Sequence, residues 1–208
     1  MTPRATFERV YAALKEQLFD GRFAPGCHLE PAHLSEELNA SITPVRDALQ
    51  RLVGERLVDA SPGDGFRSPV VTELGLRQLY SWNNSLAQLA LRNPQTPSGV
   101  VAGLPAIGPD QTAQALTSAA AELFSSIARR SGNAEHLAAV NALNGRLSTV
   151  RLKEVLFLDG VGAELASLFA ESSAGDPRLL RQSLNAYHRR RIRVVDRLVA
   201  ALADQREQ

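Results

Sequence analysis

Ser41-Ile42-Thr43-Pro44-Val45-Arg46, continued by Asp47, Gln50 and Arg51, sets hydroxyls, an amide and two guanidinium groups along a stretch with helical spacing. Hydroxyl and amide groups hydrogen-bond base edges, and guanidinium groups bind phosphate oxygens or the acceptor pair of guanine, so the chemistry on offer is duplex recognition. Val45, Leu49, Leu52 and Val53 gather on one side of this helix. Thr43, Asp47 and Gln50 lie opposite, with Arg46 and Arg51 on the flanks. Arg46, near the helix N-terminus, is the better placed of the two for a base or phosphate. Any surface helix has a polar face, so the reading depends on the elements around it.

Those elements follow a recognisable order. Phe7, Val10, Tyr11, Leu14 and Leu18 predict a first helix over about Thr6 to Asp20, stopped by Gly21, with Met1 to Arg9 as a short arm leading in. Pro25-Gly26 makes a turn, Leu29 enters a short strand, and Pro31 opens a second helix with Leu34 and Leu38 on its buried side. Asn39, which tolerates positive φ, ends that helix. Ser41 or Thr43 caps the third, and Pro44 suits its first turn. Leu57-Val58-Asp59-Ala60 and Phe66-Arg67-Ser68-Pro69-Val70 flank Pro62-Gly63-Asp64-Gly65, a turn signal between strand-like runs. Helix, turn, helix and hairpin together predict a winged helix-turn-helix, with Gly63 and Gly65 allowing close backbone approach to a phosphate, Asp64 at the tip and Arg67 adding charge.

Net charge runs against easy DNA binding. The chain carries 23 Lys/Arg and 22 Asp/Glu, and residues 1–72 hold eight basic against ten acidic side chains. Phosphate neutralisation supplies most non-specific affinity, so the direction in which individual charges point must carry the case.

Residues 7–71 resemble the N-terminal domain of the GntR family. The marks are Asp20-Gly21, Pro25-Gly26-Cys27-His28-Leu29, Leu34-Ser35-Glu36-Glu37-Leu38, the block Thr43 to Leu52, and Leu57-Val58 before the glycine-bearing wing. The resemblance implies that Ser41, Thr43, Arg46, Gly63 and Gly65 touch DNA. It also marks departures: Ile42 stands where the family has Arg, Arg56 where it has Gly, and Asp64 where a basic wing residue is common. Ile42 packing on a thymine methyl would change the operator sequence without abolishing binding.

Beyond Pro69 the pattern becomes helical, with no strand-like alternation. A helix is predicted over about Glu73–Arg92, marked by Leu74, Leu79, Leu86 and Leu89. A Pro/Gly-rich loop follows at about 93–110, then helices at about 111–130, 134–157, 161–172 and 176–203. The expected architecture is mainly α: a winged helix-turn-helix domain, 1–71, and an all-helical antiparallel bundle for effector binding and dimerisation, 72–208. Leu79-Tyr80, Ser131-Gly132-Asn133 and Tyr187-His188-Arg189 resemble the FadR/FCD branch, which implies a small-molecule effector, a metabolite, and a homodimer. No metal or other cofactor is expected, because Ala120 and Phe124 fill ligand positions of that branch and His188 alone cannot build a site. Asn83 replaces an arginine near the effector, implying a ligand larger or less acidic than a simple carboxylate.

In the last helix Leu184, His188, Ile192, Val195, Val199 and Leu202 form one stripe, with Tyr187 and Arg191 beside it. His188 is either a structural histidine or a polar anchor for an effector. Trp82 reads as core, with a ligand platform as the alternative. Arg189, Arg190, Arg191, Arg193 and Arg197 read mostly as solvated surface, with Glu164 or Glu171 as ion-pair partners or an acidic ligand in their grip. His33 and His136 read as surface residues without partners.

The remaining observations exclude other classes. There is no phosphate loop, nucleophile elbow or paired-histidine spacing, so an enzyme is not expected. Cys27, the lone cysteine, cannot form an internal disulfide, and no apolar run approaches the roughly 20 residues of a membrane span. A cytoplasmic regulator, most simply a repressor binding an inverted-repeat DNA operator, is the leading expectation. Its competitor is a dimeric DNA-binding or protein-interaction module without an effector. A polar-lined cavity would favour the sensor and a tightly packed bundle the competitor.

Overall fold

The computed structural model describes residues 2–61, 63–92 and 111–204, so the expected loop at 93–110 and Pro62 of the hairpin turn lie outside the described residues. The described chain is mainly α, a winged helix-turn-helix followed by an all-helical domain, and it separates after Val71 into two compact units, the second running from Thr72 to Ala200.

In the first unit α1 (Pro3–Phe19) begins three residues earlier than periodicity predicts, because the Thr2 hydroxyl accepts a hydrogen bond from the Ala5 amide. The expected N-terminal arm is therefore largely helix. Gly21, at φ +70°, ends it. α2 (Pro31–Glu37) stops at Asn39, whose φ of +46° turns the chain into α3 (Ile42–Gly54). Val45, Ala48, Leu49 and Leu52 bury one face of α3 against Val10 and Leu14 of α1 and Leu34 of α2. The hairpin is shorter than its strand-like runs: β1 (Asp59–Ser61) pairs antiparallel with β2 (Gly65–Arg67), while Leu57 and Val58 are drawn into the core. The extended residue pair before α2 joins the hairpin, with His28 bridging Arg67 and the Leu29 amide donating to the Phe66 carbonyl at 2.9 Å. Ser68 pins the hairpin's far side, donating through Oγ to the Ala24 carbonyl and accepting from the Cys27 amide.

The second unit comprises α4 (Glu73–Ala90), α5 (Ala113–Arg129), α6 (Ala134–Glu154), α7 (Val161–Ala174), α8 (Pro177–Ile192) and α9 (Val195–Ala203). Its core is a seam of Leu123, Phe124, Ile127, Leu143, Leu165, Phe169, Leu184 and their neighbours. Thr72, Thr112, Asn133 and Asp176 cap four of these helices through their side chains, as short polar residues at such positions do.

Several expectations need correction. The final helix is broken at Arg193–Val194, where Arg77 donates to the Ile192 carbonyl at 2.9 Å. The turn shifts the register, so Leu198 is buried in place of Val199. On α4 the buried side is Leu76, Tyr80, Asn83, Leu86, Ala87 and Ala90, which leaves Trp82 53% exposed and outside the core. Finally, His136 is buried and its Nε2 lies 2.9 Å from the Leu86 carbonyl, while His33, though exposed, sits 3.1 Å from Glu37.

Candidate nucleic-acid interface and bundle crevice

The helix-turn-helix presents the edge the sequence picks out. Ser41, Ile42, Thr43, Arg46 and Gln50 are exposed along α3, and Pro44 lies half-buried in its first turn. Ser41 occupies the N-cap position by backbone conformation, but its hydroxyl makes no bond within the helix and stays available. Arg46 has no ion pair or hydrogen bond with any described residue. Glu37 faces Arg22 and His33, and Glu55 faces Lys15, Tyr11 and Arg51. Two of the domain's acids are thus neutralised away from this edge, which relieves the unfavourable overall charge count.

Arg51 belongs to that second cluster. Its guanidinium lies 4.1 Å from the Tyr11 ring centroid, 3.6 Å from Glu55 and 3.7 Å from Glu8, so it faces α1 instead of flanking the polar edge as expected. Lys15 donates to Glu55 at 2.6 Å and to the Tyr11 hydroxyl at 2.7 Å. Burial opposes both charges, yet these hydrogen bonds prevail: the Glu55 carboxyl is held below its ordinary range and the Lys15 ammonium above its own. Behind the turn, Arg9 donates to the Leu38 and Asn39 carbonyls at 2.8 and 3.2 Å. Sequence reading missed this brace.

At the wing, Gly63 and Gly65 have φ of +86° and +70°, and a Cβ at either would meet open space, so backbone conformation and not crowding requires glycine. Asp64 is exposed between them. Arg67 is half committed, donating to the Gly26 carbonyl at 3.3 Å and lying 3.7 Å from Asp64. Arg56 has φ +58°. The residue that replaces the family glycine therefore keeps the left-handed backbone for which that glycine is suited.

The other concentration of polar chemistry is inside the helical unit. Arg191, whose type predicts surface or a grip on a ligand, is completely buried: Nε donates to Glu154 at 2.8 Å, Nη1 donates to Glu164 at 2.8 Å, and the guanidinium lies 3.2 Å from the Tyr187 ring centroid. Glu164 was an expected partner; Glu154 was not. The other oxygen of Glu154 accepts from the Tyr80 hydroxyl at 2.7 Å. Burial resists Arg191's charge, but Glu154, Tyr187 and Glu164 outweigh it and raise its pKa. Burial pushes the Tyr187 hydroxyl up to about 12, so it stays protonated.

Around this pair runs a narrow crevice, about 180 Å³ of interatomic space too tight for a water-sized sphere, bordered by Thr117, Ala120, Arg151, Glu154, Tyr187 and Arg191. Arg151 is buried with no carboxylate partner among the described residues; it donates to Asn144 at 3.1 Å. Among the described residues its Nε and Nη2, the Thr117 and Tyr187 hydroxyls and Arg191 Nη2 have no hydrogen-bond partner. Buried donors are normally satisfied, so this clustering is unusual. Arg151, Thr117 and Glu154 escaped sequence reading, although Asn144 and Arg151 stand seven residues apart on one face of α6.

His188 and Asn83 come together, but on each other. The imidazole Nδ1 is 2.7 Å from the Leu184 carbonyl and Nε2 is 3.0 Å from the Asn83 amide. Burial first, then Arg191 and Arg151, lower the His188 pKa to about 3, so the ring is neutral and can donate only one proton. With Nδ1–H given to Leu184, Nε2 accepts. The Asn83 NH2 turned toward it satisfies the ring and supplies the partner that Asn83 Nδ2 otherwise lacks. Phe124 lies 5.4 Å from the His188 ring and Ala120 borders the crevice, and neither Phe124 nor Ala120 carries a donor atom for a metal.

Comparison with known proteins agrees with this geometry. Residues 6–67 match the family described as bacterial regulatory proteins, gntR family. Over 78 residues the chain is 42% identical to the HTH-type transcriptional regulator McbR of Escherichia coli K12, covering 38% of this chain and 34% of that one, so the match spans about a third of the curated relative. The solved structure of E. coli McbR/YncC has the same fold at TM-score 0.64 and 21% identity, over 95% of this chain and 99% of that one. A structural-genomics GntR structure from Rhodococcus sp. RHA1 gives TM-score 0.74 at 19% identity, over 92% and 97%. The N-terminal unit of this chain is a helix-turn-helix domain of the gntR family, followed by a helical domain as in those structures.

Proposed function

We propose that the chain is a homodimeric, sequence-specific DNA-binding transcriptional regulator of the cytoplasm, acting as a repressor on an inverted-repeat operator and released by a small metabolite bound in its helical domain. The observation that carries the DNA-binding reading is Arg46: an exposed guanidinium without an acid partner, on a helix whose opposite face is fully anchored. Ser41, Ile42, Thr43 and Gln50 read bases beside it, and Gly63 and Gly65 bring the wing backbone to a phosphate. The effector reading rests on the unsatisfied donors of Arg151, Thr117 and Tyr187. Arg191 is neutralised by Glu154 and Glu164, but Arg151 borders the crevice without a carboxylate among the described residues, which favours an acidic ligand over the less acidic one implied by Asn83. Because the crevice is closed to water-sized groups, a ligand enters only by selecting a more open arrangement, and it weakens operator binding by no more than its affinity difference between the two.

The narrowness of the crevice favours a second reading, a DNA-binding dimer controlled by abundance or a partner protein. Binding-site selection from random DNA, followed by a metabolite screen for release of the selected site, separates the two. In the sensor reading an acidic metabolite releases DNA and Arg151→Met abolishes the response while leaving ligand-free DNA binding intact. Failure to select any site removes the regulator reading altogether.

A further inference from the structure

The outward side of α4 is unlike an ordinary solvated helix face. Leu74 is 68% exposed, Trp82 53% and Leu89 54%, and Gln78, Ser81 and Ser85 are exposed between them. At 3.6 residues per turn these six positions fall within an arc of about 100°, directly opposite the buried side made by Leu76, Tyr80, Asn83 and Ala87. None of the six is charged. Charge depletion around a central tryptophan marks the middle of a protein interface, whereas free surface is normally charged.

We propose that this strip is where a second copy of the chain docks, α4 against α4 in antiparallel fashion. The strip is its own complement. About a two-fold axis between Ser81 and Trp82, Leu74 meets the partner's Leu89, Gln78 meets Ser85, and Trp82 lies over the notch left by Ser81, so bulky groups face bulky or small ones and polar faces polar. The ends agree as well: Glu73 stands at one end of the helix and Arg92 at the other, and antiparallel pairing sets the N-terminal end of each helix dipole beside the partner's C-terminal end. This rests on the dimeric reading above and supplies its interface.

Sedimentation equilibrium of the full chain tests it. The wild type runs as a dimer, and Trp82→Glu, folded by circular dichroism, shifts to monomer with at least tenfold weaker association. Leu179→Glu, which charges another exposed leucine on α8, leaves the dimer unchanged. In a Cys27→Ser background, Ser81→Cys is joined covalently by a short bismaleimide and Leu179→Cys is not; this readout stands if Trp82→Glu does not fold. A wild-type dimer with no Ser81→Cys cross-link, or a folded Trp82→Glu that stays dimeric, overturns the α4 assignment but spares the dimer. A monomeric wild type overturns both.

Discussion

Arg46 and Arg191 are both helical arginines, and the environments they occupy separate the two halves of the molecule. Arg46 projects into water with no ion pair among the described residues, so holding it there costs almost nothing and its guanidinium is available to an incoming phosphate or guanine. Arg191 is sealed between Glu154 and Glu164 under the Tyr187 ring, and its charge is tolerated only because those partners are fixed. Exposed charge in this protein is a resource for partners, whereas buried charge is an obligation of the fold. Removing the unpaired Arg46 should therefore change binding without changing stability, and removing a partner of Arg191 should change stability before anything else.

The sharpest break of that contrast is Glu154→Ala, which leaves Arg191 with one carboxylate and Tyr80 without its acceptor. It should destabilise the helical unit by about 3–5 kcal/mol, read by urea unfolding followed at far-ultraviolet wavelengths. Next is Arg46→Ala, expected to weaken specific DNA binding by about 1–3 kcal/mol in a mobility-shift titration while unfolding stability moves by less than about 0.5 kcal/mol. A stability loss comparable to that of Glu154→Ala would erase the distinction.

The pH response sharpens the comparison further. His188 is neutral in the fold down to about pH 3 but binds a proton near 6.5 once unfolded, so below 6.5 the unfolded state holds more protons and stability falls as pH drops toward 3. The slope is at most about 1.4 kcal/mol per pH unit, and His188→Gln should remove it from the helical unit's unfolding transition. Glu55, depressed in the fold, adds a loss to the first unit only below its ordinary value of 4.5. The smallest effect is Arg56→Gly. Relief of a left-handed non-glycine backbone should stabilise the first unit by about 1 kcal/mol, visible as a higher denaturation midpoint.

How much of this was legible follows from what periodicity encodes. In the first unit single residues carry strong local signals: Gly21 and Asn39 stop helices at positive φ, and Val45, Leu49 and Leu52 define a face with one possible interior. The polar edge of α3 could be drawn from that face alone. In the second unit helices are buried on more than one side, so a polar residue is not evidence of solvent. Arg191 lies three residues beyond His188 and seven beyond Leu184, on the buried stripe, yet its type argued for surface. The opposite error befell α4, where the leucines drew the stripe through Leu74 and Leu89. Those two are outside, and the smaller Asn83, Ala87 and Ala90 face in. Arg51 shows the remaining limit: its position on α3 was readable, but the Tyr11 ring and Glu8 that hold it come from another helix.

Arg9 also ties the end of α2 to α1. Its two donors reach carbonyls that the end of α2 leaves without helical partners, and both belong to the short link before α3. A residue inserted between Leu38 and Asn39 would separate those two oxygens, and the same guanidinium could no longer bridge them. One side chain on α1 thus clamps the point at which α2 ends and the link to α3 begins.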